Sequence, residues 1–113
     1  MKTSQVVIES VDGVQVLGAS GEIDLSNASL LLEQFSQLPT ETSKVVIDLS
    51  AVSFLDSSGL GALVSCAKRL SGDGHRCVVV CTLQIAKLFD LNGLRAVFEI
   101  TPTLEEALTA ISS

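Results

Sequence analysis

Four adjacent residues, Asp56, Ser57, Ser58 and Gly59, place a carboxylate and two hydroxyls where a strand-like apolar run gives way to a helical one. They lie within the stretch from Lys44 to Leu70, KVVIDLSAVSFLDSSGLGALVSCAKRL. That stretch reads as a buried strand, a short loop and a helix. A helix start offers free backbone N–H groups and the positive end of the helix dipole, so it tolerates a phosphate on a hydroxyl there. The same residue types suit an ordinary helix cap. Ser57 is thus a candidate switch and a candidate cap.

Other chemistry is sparse. His75 is the only histidine. It falls in a Gly72–Arg76 turn, and no GxSxG elbow accompanies Ser57 or Ser58, so a Ser-His-Asp triad is not expected. Gly59-Leu60-Gly61 lacks the spacing and lysine of a P-loop and the third glycine of a dinucleotide fingerprint. No cofactor is expected. The two glycines are expected instead to let the first helical turn approach the sheet or a partner closely. Glu22, Asp24, Asp48, Asp56 and Asp90 are scattered, and no metal-ligand spacing is evident. The three cysteines, Cys66, Cys77 and Cys81, form no CxxC. They read as buried, reduced thiols of a cytoplasmic protein, with Cys77 and Cys81 facing one side of a strand.

Composition narrows the partners. The net charge is −6, and seven Lys and Arg form no stripe, so nucleic acid is not an expected partner. A basic protein face is compatible with this balance. Hydrophobic residues make up 47% and mean hydropathy is +0.51, enough to fill a core. No apolar run approaches the roughly 20 residues that cross a bilayer, and no secretory signal is visible. At 113 residues the chain reads as one domain, 1–113.

The elements that must position Ser57 alternate regularly. Residues 5–11 and 14–19 read as strands joined by a tight Asp12–Gly13 turn. Gly21 to Asp24 reads as a polar corner. Ser26 or Asn27 then caps a helix over 27–38, with Ala28, Leu31, Leu32, Phe35 and Leu38 on one face. Val45–Leu49 reads as a central strand covered on both faces. The helix after Ser58 presents Leu60, Leu63, Val64, Ala67 and Leu70, and Gly72-Asp73-Gly74 ends it. Residues 76–81 read as a buried strand, 85–89 as a short helix closed by Asn92–Gly93, and 97–100 as a last strand. Pro102 and Thr103 start a final helix with Leu104, Ala107, Leu108 and Ile111 inward. The order β-β-α-β-α-β-α-β-α predicts a mixed sheet with helices packed on it.

The run Val45-Val46-Ile47-Asp48-Leu49-Ser50, followed by Phe54-Leu55-Asp56-Ser57-Ser58-Gly59-Leu60-Gly61, resembles the signature of anti-sigma factor antagonists of the STAS domain family. Gly21-Glu22-Ile23-Asp24 is similar to the family's G-E-[LI]-D motif. Ile85-Ala86-Lys87-Leu88-Phe89 and Leu91-Asn92-Gly93-Leu94 are similar to its penultimate helix and turn. The resemblance implies a STAS-like α/β domain, a mixed sheet of about four to five strands with about four helices, and no enzymatic activity, cofactor or small-molecule substrate. It implies an anti-sigma factor serine kinase as partner. The unphosphorylated antagonist binds that kinase and frees the sigma factor; phosphorylation of one serine ends the complex. A PP2C-type phosphatase resets it. Carried over by motif position, the phosphoacceptor is Ser57. Asp24, Asp56, Ser58 and Gly59 belong to the same surface, with Ser58 expected to cap. A STAS scaffold subunit, an accessory subunit of a membrane transport ATPase and a small serine hydrolase are the alternatives.

Overall fold

The computed structural model describes residues 5–70 and 75–112. Its elements run β1 Gln5–Val11, β2 Val14–Ile23, α1 Ser29–Phe35, β3 Lys44–Leu55, α2 Ser57–Arg69, β4 Arg76–Val80, α3 Leu83–Leu91, a 3-10 turn at Leu94–Ala96, β5 Glu99–Thr101 and α4 Leu104–Ser112. The five strands form one sheet in sequence order, β1 antiparallel to β2 and the remainder parallel. The alternation read from the sequence is the one observed. The expected end of α2 at Gly72-Asp73-Gly74 lies outside the described residues.

Parallel neighbours in sequence order place their connecting helices on one face, because βαβ crossovers are right-handed. Accordingly α1, α2 and α3 cover one side, where Leu17, Leu31, Phe35, Ile47, Leu49, Leu63, Cys66 and Phe89 form the larger core. The chain turns back after β5, and α4 packs Ala107 and Ile111 on Val14, Val16, Val46, Val78 and Val80 of the other side. Val45, Val46 and Ile47 of β3 are therefore fully buried from both faces. The hairpin turn has positive φ at Asp12 (51°) and Gly13 (81°), the pairing a two-residue I′ turn requires.

The largest departure from the sequence expectation is in β3. Ser50 to Leu55 continue the strand, with no loop. Along this stretch β3 advances faster than β2: Gly18 pairs Asp48 but Ser20 pairs Ala51, and Gly21 pairs Val52 but Glu22 pairs Phe54. Each bulge adds a residue to β3 and shifts its side-chain phase. Leu49, Val52 and Leu55 all reach the α1–α3 core although they recur every third residue. A period of three matches neither the strand nor the helix template, so the sequence hid the strand. Asp48 stabilises the first irregularity: its Oδ1 accepts from the Ser50 N–H at 3.0 Å and the Ser50 hydroxyl at 2.7 Å. The corner expected at Gly21 likewise gives way to strand, since β2 runs to Ile23.

Two shorter corrections follow the same logic. Helix α1 has seven residues, about two turns, rather than 27–38, because residues 24–28 form a separate hydrogen-bonded turn ahead of it. The last strand is Glu99–Thr101 rather than 97–100. Its lead-in is fixed by Phe98, whose ring meets Phe89 edge-on at 5.5 Å, so residue 98 serves packing before pairing begins, while Val97 stays exposed.

Candidate functional site

In a sheet of this kind, loops at the carboxyl ends of parallel strands converge. Here β2 ends at Ile23 and β3 at Leu55, neighbours in register. One residue, Asp56, separates β3 from α2. Its N–H donates to the Ile23 carbonyl at 3.2 Å, which ties the β3–α2 junction to the turn after β2.

Asp56 is the cap of α2. Its backbone is extended (φ −99°, ψ −174°) and its Oδ1 accepts from the Gly59 N–H at 3.1 Å. Ser58, expected as the cap, is the second helical residue and half-buried; Ser57 is the first and is exposed. The carboxylate wins because it sits at the last extended residue, from which a side chain reaches the third helical N–H. The Ser57 hydroxyl is thereby left out of the cap. The first-turn N–H groups of Ser57 and Ser58 have no carbonyl one turn back.

Gly59 lies beneath this rim, buried. A Cβ there would stand 2.3 Å from Leu55 Cδ1 and 3.1 Å from Ile23 Cγ2, so the close approach to the sheet read from the sequence holds for Gly59. It does not hold for Gly61, where a Cβ would meet nothing within 4 Å.

Asp24 opens the turn beside the junction. Its Oδ1 accepts from the Ser26 hydroxyl at 2.6 Å and the Ser26 N–H at 2.9 Å. These bonds, the hydroxyl first, hold its carboxyl below the usual range, so it is charged at neutral pH. Neither Ser26 nor Asn27 caps α1 by its side chain, as had been expected; the α1 N-cap is Ala28 without a side-chain bond. Asn27 reaches back instead, accepting from the Asp24 N–H at 2.9 Å and donating to the Glu22 carbonyl at 2.8 Å. The available signal for this role was a polar side chain three residues after Asp24, the spacing at which a side chain reaches back to a backbone N–H. Between Asp24 and Ser26, Leu25 stands 82% exposed.

The structure thus brings Asp24, Asp56, Ser57 and Ser58 to adjacent loops of one edge, with Gly59 as their floor. His75 is elsewhere. It precedes β4, whose Arg76 pairs with Lys44 at the start of β3, whereas Ser57 follows the end of β3. The strand between them spans roughly 35 Å at about 3.3 Å per residue. That separation keeps this histidine out of a triad with Ser57 or Ser58. Cys66, Cys77 and Cys81 are free thiols. Burial pushes them up to about 11, 12 and 11 respectively, so they stay protonated at neutral pH. Cys77 and Cys81 both join the α1–α3 core, the shared side expected of them. Among the described residues no helix is long and apolar enough to cross a membrane.

A five-stranded sheet of this order, with a capped helix starting at D-S-S-G on its carboxyl edge, defines a small α/β domain of the STAS type. The STAS domain model matches residues 5–107, and the chain belongs to the STAS domain family. It is 35% identical over 107 residues to the anti-sigma-F factor antagonist RsfB of Mycobacterium tuberculosis, covering 94% of this chain and 88% of that protein. It is 30% identical to the anti-sigma-B factor antagonist of Bacillus subtilis, over 88% of this chain and 91% of that one. The crystal structure of an anti-sigma factor antagonist from Mycobacterium paratuberculosis superposes with a TM-score of 0.89 at 36% identity, covering 98% of this chain and 96% of that one.

Proposed function

We propose that this chain is an anti-sigma factor antagonist controlled by phosphorylation of Ser57. In its unphosphorylated form it binds an anti-sigma factor that is also a serine kinase, and the sigma factor is released. The kinase transfers the γ-phosphoryl group of ATP to the Ser57 oxygen; ADP leaves, and the hydroxyl proton passes to a base of the kinase. The modified chain dissociates, and a PP2C-type phosphatase hydrolyses the phosphoester to reset it. The chain itself performs no catalysis and works in the cytoplasm. Asp24, Asp56, Ser57 and Ser58 form the partner surface, and Gly59 supports it from below.

One observation carries this reading: Asp56, rather than a serine, caps α2. The exposed Ser57 hydroxyl is consequently free to be modified without removing a bond the fold uses. A phosphate adds about −1.5 to −2 charges at pH 7. At a helix N-terminus the fold accommodates that charge, whereas a protein packed against Ser57 meets new bulk beside the charged Asp24. The switch blocks a surface and leaves the domain folded. The names of the relatives support the general role.

The test is a pull-down with wild-type, Ser57→Ala and Ser57→Asp baits, read by mass spectrometry and by phosphoryl transfer from ATP. A serine kinase retained by wild type and Ser57→Ala, lost with Ser57→Asp, and phosphorylating only wild type supports the reading. Equal retention of one partner by all three baits overturns it in favour of a scaffold. Recovery of a transport ATPase overturns it in favour of an accessory subunit.

A further inference from the structure

The turn between β2 and α1 is held more firmly than a connection requires. The Asn27 side chain reaches back, donating from Nδ2 to the Glu22 carbonyl at 2.8 Å and accepting from the Asp24 N–H at Oδ1 at 2.9 Å. Asp24 answers in the other direction, its Oδ1 accepting from the N–H and hydroxyl of Ser26. The N–H groups of Asn27 and Ala28 both reach the Asp24 carbonyl, at 3.1 and 2.9 Å. The pattern is half of a capping box: the residue-four side chain reaches back to the residue-one N–H, while the Asp24 carboxylate bonds Ser26 instead of the Asn27 N–H. The bond from the Asp56 N–H to the Ile23 carbonyl then fastens the whole turn to the residue before Ser57.

Helix α1 does not explain this arrangement. It begins at Ser29 and takes no side-chain cap. What the bonds fix is the turn itself, whose tip carries the Asp24 carboxylate and the exposed Leu25. The N–H and hydroxyl of Ser26 both bond Asp24 Oδ1, which fixes the carboxylate on the turn. A surface already in its bound shape gives up less conformational freedom on association.

We propose that Asn27 is a positioning residue for the partner surface: it holds Asp24 and Leu25 in register with Ser57, so that the kinase meets a preformed anionic and apolar tip beside the serine it modifies. The partner face that fits this tip supplies a cation for Asp24 and an apolar recess for Leu25. This inference rests on the kinase-binding reading above.

The experiment combines amide hydrogen exchange with titration against the purified serine kinase recovered by the wild-type bait. In Asn27→Ala, exchange at the Asp24 amide rises about tenfold while exchange in β3 and α2 stays at wild-type rates. Affinity for the kinase falls about tenfold. In Asn27→Thr, whose hydroxyl can still accept from the Asp24 N–H, both effects are smaller. In an Asp24→Asn background, Asn27→Ala costs about threefold rather than tenfold, because the charge it positions is gone and only Leu25 remains to be held. Unchanged affinity despite faster exchange overturns the proposal. So does an undiminished loss in the Asp24→Asn background, or a loss of protection throughout the domain, either of which makes Asn27 merely structural. If wild type recovers no kinase, the kinase-binding reading falls and takes this one with it. If it does and Asn27→Ala binds as well, only the assignment to Asn27 falls.

Discussion

Two layers meet at the start of α2, and they obey different rules. In the lower layer Ile23, Leu55, Gly59, Leu60 and Leu63 are buried, and a single added carbon at Gly59 would collide with Leu55. In the upper layer Ser57, Leu25 and Gly61 are exposed, the cap needs no serine hydroxyl, and a Cβ at Gly61 would touch nothing. Packing accounts for the identities below. It does not account for those above, which the proposed kinase-binding surface would use. The prediction of the comparison is that substitutions below are read in stability and those above in binding.

The largest expected effect lies above. Ser57→Asp lowers affinity for the recovered kinase about 100-fold, about 2.8 kcal/mol, through like charge at a close interface. The same substitution changes stability by no more than about 0.5 kcal/mol, and far-UV circular dichroism keeps its helical signal. Isothermal titration beside thermal melting reads both quantities. A clear loss of helix in Ser57→Asp would merge the two layers into one.

Below, Gly59→Ala reverses the pattern. Overpacking a buried contact costs about 1–3 kcal/mol. Leu55 cannot yield freely because it is itself only 3% exposed. At about 4–8 °C per kcal/mol for a domain of this size, the melting temperature falls by at least several degrees. Leu55→Ala introduced with it should recover part of the loss from the clash while creating a cavity, which distinguishes collision from a general defect. A melting temperature equal to wild type for Gly59→Ala would mean that the junction is looser than its geometry states.

The two layers also differed in how far the sequence revealed them. The alternation of strands and helices was legible because Val45–Ile47, Val78–Val80 and the α2 stripe keep regular periods. The Ser57 junction was legible as a place, from D-S-S-G between an apolar strand and an apolar helix. Its internal assignment was not. Ser58 and Asp56 are both good capping types, and only the extended backbone at Asp56 decides between them. Likewise Leu49, Val52 and Leu55 hid a strand, since two bulges turn a period of two into a period of three. Asn27 reads from the sequence as a forward cap, yet its side chain bonds backward to the Glu22 carbonyl and the Asp24 N–H, because the chain turns sharply after β2.

Asp56 belongs to both layers and offers a way to sharpen the division. Asp56→Ala removes the bond to the Gly59 N–H and costs about 1 kcal/mol, the usual loss for an N-cap. Asp56→Asn retains an acceptor at the same place, so its melting temperature stays within about 0.5 kcal/mol of wild type. The rate at which the kinase phosphorylates Ser57 separates the roles further. If Asp56 serves only the fold, Asp56→Asn is phosphorylated at the wild-type rate. If its charge also faces the partner, the rate falls although stability does not.

The smallest effect is the most discriminating, because its two readouts are expected to carry opposite signs. Gly61 lies one helical turn beyond Ser57, on the same face, since residues four apart in a helix are neighbours. A glycine inside a helix costs about 0.5–1 kcal/mol relative to alanine, and nothing in the fold compensates at a site with no contact within 4 Å of the added carbon. Gly61→Ala should therefore raise stability by about that amount in chemical denaturation, with the slope unchanged. If the exposed layer is shaped for close approach of a partner backbone, the same methyl lowers kinase affinity by about threefold to tenfold, as one added group in a fitted contact does. A gain in stability with no loss of binding would remove Gly61 from the partner surface and contract it to the Ser57 turn and the Asp24–Leu25 tip. A loss of stability would instead show an unseen constraint on α2, and the distinction between the layers would end at Gly59.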